Sequence, residues 1–393
     1  ISSVKRIMGL AYSDPLANGL LGSLSCPSHA GPNDSIVFDM HGKQLTVPEV
    51  VARILNHLKD MASEWVGLPV TKAVFTVPVE FDMRSKRDLE LAARMAKIEI
   101  VGVVPEPVAA AMGCGHDGSG QAKVAVYDFG GGTFDASFVE VGQNRFSVRG
   151  AAGDRWLGGD DFDEVMARYV ADEFAVSTGI NLHTKAEQWQ RLLFACEEAK
   201  RWLSTLDSVD VVLPDAGRNE MGEQTLLVPM SRPLFEDITY DIITSTLETT
   251  KSAAIKAQIH PRKVDSLLVT GGTTRIPAVR TAAEQFFGQA GVSGIHPEHA
   301  VVIGAAVRAA VLSQVKVPRD FIDRLRGMGR VGYNIGLALA GGVTEHIITS
   351  DQRPPTASHR LYSTSRNGQT MIRLELVKGP STRTAENSRI GGF

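Results

Sequence analysis

The chain has 393 residues, of which 43% are hydrophobic and 22% charged, and its formal net charge is −3. This length allows two or more domains with a large core, and the charge offers no basic excess that would predict a nucleic-acid partner. No apolar run reaches the roughly 18 residues of a membrane span, and three widely separated cysteines give neither a zinc spacing nor a disulfide framework, so we expect a cytoplasmic protein with no membrane partner.

The N-terminal segments predict two helices separated by irregular chain. A Ser cap and a Gly stop predict a short helix over Ser2–Gly9, and because the chain begins at Ile1 inside this pattern we expect it to be a fragment. Residues 16–37 are rich in Gly, Pro, Ser and Asn, which predicts a loop or an edge region. A capping-box pair, Thr46 and Glu49, predicts a helix over residues 46–65. One face of that helix carries Val50, Ile54, Leu55, Leu58 and Met61.

The next segments alternate between strand and helix. Residues 72–77 predict a strand ended by Pro78, and residues 85–96 predict a helix with Leu89, Ala92, Ala93 and Ala96 facing inward. Residues 101–104 predict a second strand, after which Pro105-Glu106-Pro107 starts another helix. This alternation favours a layered α/β domain, and Glu106 stands at a strand end, where such sheets place catalytic groups.

The stretch from Lys123 to Val141 contains the strongest functional signal. Two strand-like runs, at residues 124–127 and 136–141, are joined through Gly130, Gly131 and Gly132. A turn with so little side chain can bring backbone N–H groups close to a phosphate, and Asp128 at the strand end could hold Mg²⁺. The alternative is an ordinary glycine-rich hairpin turn, but the flanking Asp128, Thr133 and Asp135 favour a nucleotide site.

Two further glycine pairs precede predicted helices. Gly158 and Gly159 begin a helix that runs to about Phe174. Gly271 and Gly272 follow a strand at residues 266–269 and precede a helix that ends near residue 287. Both junctions allow close backbone approach to a ligand. An Ala-rich helix over residues 301–312, which contains the small residue Gly304, predicts close helix packing.

A predicted helix over residues 190–206 carries charges at a regular spacing. Glu197, Lys200, Arg201 and Ser204 fall at i, i+3, i+4 and i+7, and therefore on one face. Such a face could bracket a purine and its ribose. From spacing alone, a solvated face with intrahelical ion pairs is the favoured interpretation. A long helix over residues 239–257 follows.

The composition changes after Val317. Residues 320–330 carry charges and glycines and predict a linker. Beyond them, short alternating runs at residues 362–365 and 371–377, with Asn367-Gly368 between them, predict hairpins of a separate small β-domain that ends before it is complete.

Five motifs in this order and spacing closely resemble the heat-shock protein 70 chaperones of the DnaK type: YDFGGGTFD, LGGDDFD, ACEEAKRWLS, GGTTRIP and IGAAVRAA. The segment SSVKRIMG is similar to the HscA branch, which serves iron–sulfur cluster assembly. The resemblance implies an actin-like (ribonuclease H-like) two-lobed α/β ATPase domain over residues 1–317, a linker over 318–330 and a partial β-sandwich peptide-binding domain over 331–393.

The resemblance also implies roles for individual residues. The family's residues around the γ-phosphate, the attacking water and Mg²⁺ are matched by Lys5, Glu106, Asp128 and Thr133. From the residues alone Lys5 is interpreted as a surface lysine, whereas the resemblance implies a catalytic role for it. Asp135 matches an acid of a monovalent-cation site, with K⁺ as the candidate. Gly130, Gly131 and Gly132 match a phosphate loop, and Gly158 and Gly159 are also assigned to the nucleotide site. The adenosine site is matched by Glu197, Lys200, Arg201, Ser204, Gly271, Gly272, Thr273 and Arg275.

The implied activity is slow ATP hydrolysis that switches affinity for extended hydrophobic client peptides, with a J-domain cochaperone and a nucleotide exchange factor as partners. The peptide cleft is matched by Leu337, Ala340, Tyr362, Ser365, Ile372 and Leu374; for Tyr362, plain sandwich core is an equal alternative. Pro78 matches a proline proposed as an allosteric switch.

Several residues depart from the family pattern. The family's first phosphate loop would precede Ile1, so we expect the chain on its own not to hydrolyse ATP. Lys86 replaces an arginine that relays to Pro78, and Gly102 replaces an arginine that docks the J-domain. The linker lacks the family's run of leucines. Ala340 and Ser365 replace the bulkier or more apolar residues that form the arch over the peptide cleft in the family. A non-cycling member of the family, which acts as a holdase or exchange factor, is therefore an alternative function. A sugar kinase with an actin-like fold is a third hypothesis, but the predicted β-domain hairpins argue against it.

Overall fold

The computed structural model describes residues 3–24, 26–40, 42–116, 118–143, 145–292, 296–314, 334–349, 358, 360, 362 and 374–392. These residues fall into two compact units. Those up to residue 292 and from 297 to 314 form the larger unit, and those from 334 onwards, with His296, form the smaller. The predicted linker at residues 318–330 lies outside the described residues, as do most of the hairpins predicted beyond it.

The chain begins with a short 3-10 helix (Val4–Ile7), which lies within the helix predicted over residues 2–9. It is followed by α1 (Pro15–Ser23), β1 (Ser28–Ala30), a 3-10 turn (Pro32–Asp34), β2 (Ile36–Met40), β3 (Lys43–Thr46) and α2 (Val47–Val66). The three strands form an antiparallel sheet in the order β1-β2-β3.

The prediction of a loop or edge region at residues 16–37 is wrong for its first part. Helix α1 forms there because Pro15 occupies the first turn and the Asp14 carboxylate accepts a hydrogen bond from the Leu16 amide at 2.9 Å. Buried Ala17 and Leu20 then hold the helix against the protein. Its glycines suggested a loop, but the cap and the burial of Ala17 and Leu20 outweigh their cost in a helix.

Helix α2 begins as predicted, and the Thr46 amide donates to the Glu49 carboxylate at 2.7 Å. The predicted apolar face is only partly covered. Val50 is buried, whereas Ile54, Leu58 and Met61 are 45–54% exposed. The first half of α2 packs against a hydrophobic cluster that also contains residues of β2 and β3. Among the described residues, this cluster does not include side chains from the second half of α2.

The next elements confirm the predicted strand–helix alternation. They are β4 (Lys72–Val77), α3 (Met83–Met95), β5 (Glu99–Pro105) and α4 (Glu106–Gly113). Strands β4 and β5 pair in parallel, as a strand–helix–strand unit requires. Ala92, Ala93 and Ala96 are buried as predicted. This arrangement places Glu106 at the first position of α4, directly at the end of β5.

The rest of the larger unit comprises β6 (Ala122–Phe129), β7 (Phe134–Gly142), β8 (Arg145–Asp154), α5 (Gly159–Thr178), α6 (Ala186–Leu203), β9 (Ser208–Asn219), β10 (Gly222–Ser231), α7 (Arg232–Ile238), α8 (Tyr240–Ala257), β11 (Ser266–Thr270), α9 (Pro277–Phe287) and α10 (Ala300–Leu312). The strands and helices predicted in this region are confirmed. Helix α7, strand β8 and the long antiparallel hairpin of β9 and β10 were not predicted from the sequence.

A four-stranded sheet in the order β11-β6-β7-β8 positions the candidate site. Strands β6 and β7 form the predicted antiparallel hairpin across the three glycines, and β11 runs parallel to β6 with Thr270 opposite Asp128. The carboxyl ends of β6 and β11, each followed by glycines, therefore meet at one edge of the sheet. Helices α5, α6, α8 and α9 enclose the largest core cluster, in which Tyr127, Phe129, Phe134 and Phe162 pack edge to face.

Helices α4 and α10 pack closely together, as predicted from the glycine in the last helix. A Cβ atom added to Gly304 would lie 1.7 Å from the carbonyl oxygen of Ala109. The backbones can approach this closely only because position 304 has no side chain.

The smaller unit contains an antiparallel sheet in the order β13-β12-β14-β15, formed by β12 (Ile335–Leu339), β13 (Val343–Ile348), β14 (Glu375–Lys378) and β15 (Ser388–Gly392). Within the described residues, no helix combines the length and apolar character that a membrane-spanning segment requires.

Replacing Gly304 by Ala should destabilise the larger unit by about 1–3 kcal/mol, because the added methyl group must force α4 and α10 apart. The measurement is the free energy of urea unfolding. The matched control is Gly19→Ala in α1, where the added methyl meets no atom within 4 Å. That variant should gain roughly 0.5–1 kcal/mol, since alanine favours a helix interior. Equal effects at both positions would contradict the packing argument.

Candidate nucleotide-binding site

The turn between β6 and β7 leaves backbone donors available. The Gly130 amide donates to the Thr133 carbonyl at 2.9 Å and closes the turn. The amides of Gly131 and Gly132 donate to no acceptor among the described residues, and Gly131 is exposed. Adjacent amides without internal acceptors are what a phosphate-binding turn requires.

The second glycine pair holds this turn in place. The amides of Gly159 and Asp160 donate to the carbonyls of Gly130 and Gly131 at 3.1 and 2.8 Å. A Cβ atom on Gly158 would lie 2.3 Å from the Gly131 carbonyl oxygen. The Gly158 amide donates to the Asp161 carboxylate at 2.7 Å, so the amides of both Gly158 and Gly159 are used in hydrogen bonds within the protein. The role of this glycine pair is to allow the two turns to approach each other closely.

Arg6 is a further anchor, which the sequence analysis missed. Its Nε donates to the Gly132 carbonyl at 2.5 Å, and its guanidinium pairs with Asp161 at 2.7 Å. The residue is only 6% exposed, and its guanidinium lies 5.9 Å from the ring centre of Trp156. Two features of the sequence could have indicated this role: Arg6 is next to Lys5, and acidic residues follow Gly159 in the first turn of α5. A buried arginine requires such carboxylates as partners.

The acids named from the sequence lie around Lys5. Its ammonium group pairs with Glu106 at 3.0 Å. Asp128 and Asp135 are opposite each other on β6 and β7. Burial, and then the charge of Glu106, raises the pKa of Asp128 to about 6, although Lys5 lowers it. The same causes raise the pKa of Asp135 to about 7. Burial lowers the pKa of Lys5, but the three carboxylates outweigh it and raise the pKa above its usual value.

The donor set of this site fits a divalent cation. Three carboxylates share one lysine, so an additional positive charge would relieve their mutual repulsion. The described residues contain no group of three or more His, Cys, Asp or Glu side chains that could hold a metal ion by themselves. Mg²⁺ usually binds with several of its waters and with substrate phosphates, and one or two of these carboxylates would suffice for it.

Lys5, Thr133 and Asp135 line one small cavity, together with Pro78, Glu80, Phe81, Asp154 and Arg155. Two residues predicted to be catalytic, Lys5 and Thr133, and the predicted cation ligand Asp135 therefore share a cavity with Pro78 at the end of β4. Gly153 permits this packing, since a Cβ atom there would lie 2.6 Å from an Asp135 carboxylate oxygen. Pattern analysis had not assigned a role to Glu80 or Arg155.

A larger cavity of about 480 Å³ lies beside the glycine turn and is formed by five separate segments of the chain. It is lined by Gly131, Gly159, Asp160, Glu197, Lys200, Arg201, Ser204, Gly272, Thr273, Arg275, Ile276 and Glu298. Nine of these residues were named from the sequence. Gly271 lies beside β6 instead, where its φ of 85° and a projected Cβ 2.3 Å from the Phe129 carbonyl oxygen require glycine.

The charges around this cavity already have protein partners. Lys200 is buried and donates to the Asp163 carboxylate and the Gly159 carbonyl, both at 2.7 Å. Arg201 is 75% exposed and pairs with Glu197, as the alternative interpretation of this helix face predicted. Arg275 pairs with Glu298 at 3.4 Å, a residue that the sequence analysis did not name. Both interpretations of α6 therefore have support, because the paired face also lines the cavity.

The residues assigned to the peptide cleft are only partly described. Leu337 is buried on β12, Ala340 is exposed in the turn after it, and Leu374 is 36% exposed. The Tyr362 hydroxyl donates to Glu345 at 2.9 Å. Ser365 and Ile372 lie outside the described residues. These positions remain predictions.

Replacing Lys200 by Met should leave the Asp163 carboxylate buried without its cation. At pH 7 we expect the free energy of unfolding to fall by about 3–5 kcal/mol, the usual cost of breaking a buried pair. Burial already raises the pKa of Asp163 to about 6, and loss of Lys200 raises it further. The folded variant then binds a proton more tightly than the unfolded chain, so its deficit relative to wild type should shrink at pH 5.

Urea unfolding at pH 5 and pH 7 measures this effect. The control variant, Lys200→Met combined with Asp163→Leu, removes both charges and should recover most of the lost stability at pH 7. A deficit that is the same at both pH values, or no recovery in the double variant, would contradict the prediction.

The family model described as "Hsp70 protein" matches residues 1–393, which is the whole chain. Members of this family are ATPases and ATP-dependent chaperones that bind ATP or ADP with Mg²⁺, and the family implies actin-like ATPase lobes. The mixed α/β architecture and the glycine turns described above agree with this match. The resemblance predicted from the five motifs is confirmed: the chain belongs to the Hsp70 family.

Proposed function

We propose that this protein binds ATP and ADP in the cavity beside the β6–β7 turn and hydrolyses ATP slowly to switch its affinity for extended hydrophobic peptides. The observation that carries the proposal is the convergence of α5, α6 and the segment after β11 on one cavity that also contains Gly131. The cavity is thereby continuous with a turn in which two amides have no acceptor among the described residues. A pocket for the base beside donors for the phosphates matches the two ends of a nucleotide.

The adenosine would lie between α6 and the segment after β11. Glu197, Arg201 and Ser204 would contact one side, and Gly272, Thr273 and Arg275 the other. The exposed Arg201 is free to change partners when a base binds, whereas Lys200 is fixed by Asp163 and Gly159. We therefore assign nucleotide contacts mainly to Arg201 and Arg275, and a positioning role to Lys200.

The phosphates would lie along the glycine turn, with the amides of Gly131 and Gly132 as donors. Mg²⁺, when bound near Asp128, would neutralise charge on the phosphates. Lys5 and Glu106 would orient the attacking water, and the Thr133 hydroxyl would donate to the γ-phosphate. These residues act by positioning and by electrostatic stabilisation, which supply most of the rate enhancement in phosphoryl transfer. We assign Asp135 to a monovalent cation such as K⁺.

We also propose the division of the chain into an ATPase domain at 1–317, a linker at 318–330 and the start of a β-sandwich peptide-binding domain at 331–393. A peptide would lie extended across the second domain, with main-chain hydrogen bonds and one apolar pocket. J-domain cochaperones, exchange factors and cytoplasmic clients are the expected partners. An HscA-like role in iron–sulfur cluster assembly is supported by the segment SSVKRIMG alone.

A second candidate is a non-cycling member of the family that binds nucleotide without coupled turnover. The environment of Gly102 favours it. A Cβ atom there would lie 2.6 Å from a Leu312 methyl group, so the space beside β5 where an arginine side chain would begin is filled by the end of α10. Family membership argues against the sugar-kinase alternative.

Arg201→Ala should weaken ADP binding by about fivefold, or about 1 kcal/mol, because it removes an exposed cation from the cavity. Calorimetric titration with Mg-ADP and with adenosine measures the change. The matched control is Arg168→Ala, which removes another exposed arginine in an i,i+4 pair on α5, outside the cavity. We expect that control to bind like wild type. Equal losses in both variants, or no ADP binding by the wild-type chain, would overturn the nucleotide site.

Lys5→Ala in the full-length protein should lower ATP hydrolysis by about 100-fold while changing ADP affinity by less than about threefold, since the lysine acts on the attacking water. Phosphate release is measured with and without an extended apolar peptide and a J-domain protein. Stimulation of the wild-type protein by both supports the cycling chaperone. Nucleotide binding with no stimulation would instead establish the non-cycling alternative.

A further inference from the structure

The outer face of α3 carries an unusual set of exposed side chains. Arg84, Arg87, Leu91 and Arg94, flanked by Met83 and Met95, lie within about half of the helix circumference at 100° per residue, and we call this set the basic face. All six are exposed. None belongs to the candidate nucleotide site or to the predicted peptide cleft.

The three arginines form no close pair within the described part of the chain. None of Arg84, Arg87 and Arg94 forms a side-chain hydrogen bond or an ion pair with any described residue, although the charge of Arg87 partly offsets the effect of burial on the pKa of Asp88. Neighbouring acids on the helix are otherwise engaged: Asp82 accepts from the Ser85 amide at 2.7 Å, and Asp88 accepts from the Gly9 amide at 2.8 Å. Glu90, at the edge of the face, is the only other acid of α3, so the three guanidinium groups outnumber the acids on this face.

Apolar side chains lie among these cations. Met83 is 81% exposed, Met95 42% and Leu91 37%. Protein–protein interfaces combine an apolar centre with arginine and methionine in this way, and arginine is enriched among the residues that dominate binding. Leu91 is at the centre of the basic face, and a partner would cover it while engaging the guanidinium groups around it.

The opposite side of α3 fixes the helix rigidly. Ala92 and Ala93 are buried, and the Ser85 hydroxyl donates to the Met8 carbonyl at 3.0 Å. Asp82 caps the first turn. The basic face is thus presented by an ordered helix, so binding would require only side-chain ordering and little backbone entropy.

We propose that the basic face is a docking site for an acidic segment of a partner protein, in which carboxylates flank an apolar side chain. Charge complementarity supports this occupant, because guanidinium groups bind carboxylates in a bidentate manner. An anionic membrane is less well matched. A helix that lies in a bilayer surface buries a broad apolar face, whereas the inner face of α3 packs against the protein.

The test uses the whole chain and a fluorescein-labelled helical peptide of about 18 residues, long enough to be helical, with Glu on both sides of a Leu on one face. Its Gln counterpart is the matched control peptide. Fluorescence anisotropy should show binding to the Glu peptide that weakens as salt is raised. The triple variant Arg84→Glu, Arg87→Glu, Arg94→Glu should weaken binding at least about tenfold, and the triple Arg→Lys variant by about threefold, because lysine keeps the charge and loses the planar fork.

The other outcomes all count against the proposal. Equal binding of the Glu and Gln peptides, no binding of the Glu peptide, or unchanged binding in the Arg→Glu variant would overturn it. Binding only to vesicles that contain phosphatidylserine would assign the face to membranes instead. Both variants should bind Mg-ADP with the affinity of the wild-type chain. This control shows that a loss of peptide binding does not come from misfolding.

Discussion

The candidate site depends on the contact between two backbone turns. The carbonyls of Gly130 and Gly131 accept the amides of Gly159 and Asp160, and Gly158 permits the approach because it has no side chain. This contact uses the carbonyls of the first turn, while the amides of Gly131 and Gly132 donate to no acceptor in the described part of the chain. One set of hydrogen bonds therefore fixes the turn and leaves these amides available for an anion. A side chain at position 158 would separate the turns and with them the two ends of the cavity.

Electrostatics at this edge of the sheet follow from the same geometry. Pairing of β6 with β7 places Asp128 opposite Asp135, and the end of β5 adds Glu106, so three carboxylates meet in a partly buried region with Lys5. The pKa values of Asp128 and Asp135 are raised by burial and then by the charge of Glu106, so the ionised carboxylates are unfavourable in the protein alone. A site that is strained in this way gains most from a cation, which is why the acids fit a Mg-nucleotide better than a structural role.

The α6 face shows why a residue can satisfy two interpretations at once. Its ion pairs are those of an ordinary solvated helix, and its side chains also line the cavity. Lys200 is the most constrained, because it joins α6 to α5 through a buried pair with Asp163 and so fixes the width of the cavity. The basic face of α3, in contrast, carries arginines that form no ion pair with a described residue, and exposed Met83 and Leu91 lie among them. Charge and apolar surface together therefore favour a binding role for that face.

The sequence by itself determined the strands β4, β5, β6, β7 and β11, most helices and the family, because apolar periodicity, caps and the five motifs are local properties of the chain. It failed at α1, where the cap formed by Asp14 and the burial of Ala17 outweighed the glycines, and it missed β8 and Arg6. Tertiary structure alone decided which carboxylates share Lys5, which amides stay unpaired and which charged groups already have partners. The contacts of Lys5 with Glu106 and of Arg6 with Gly132 join residues more than 100 positions apart, and no local pattern encodes such distances.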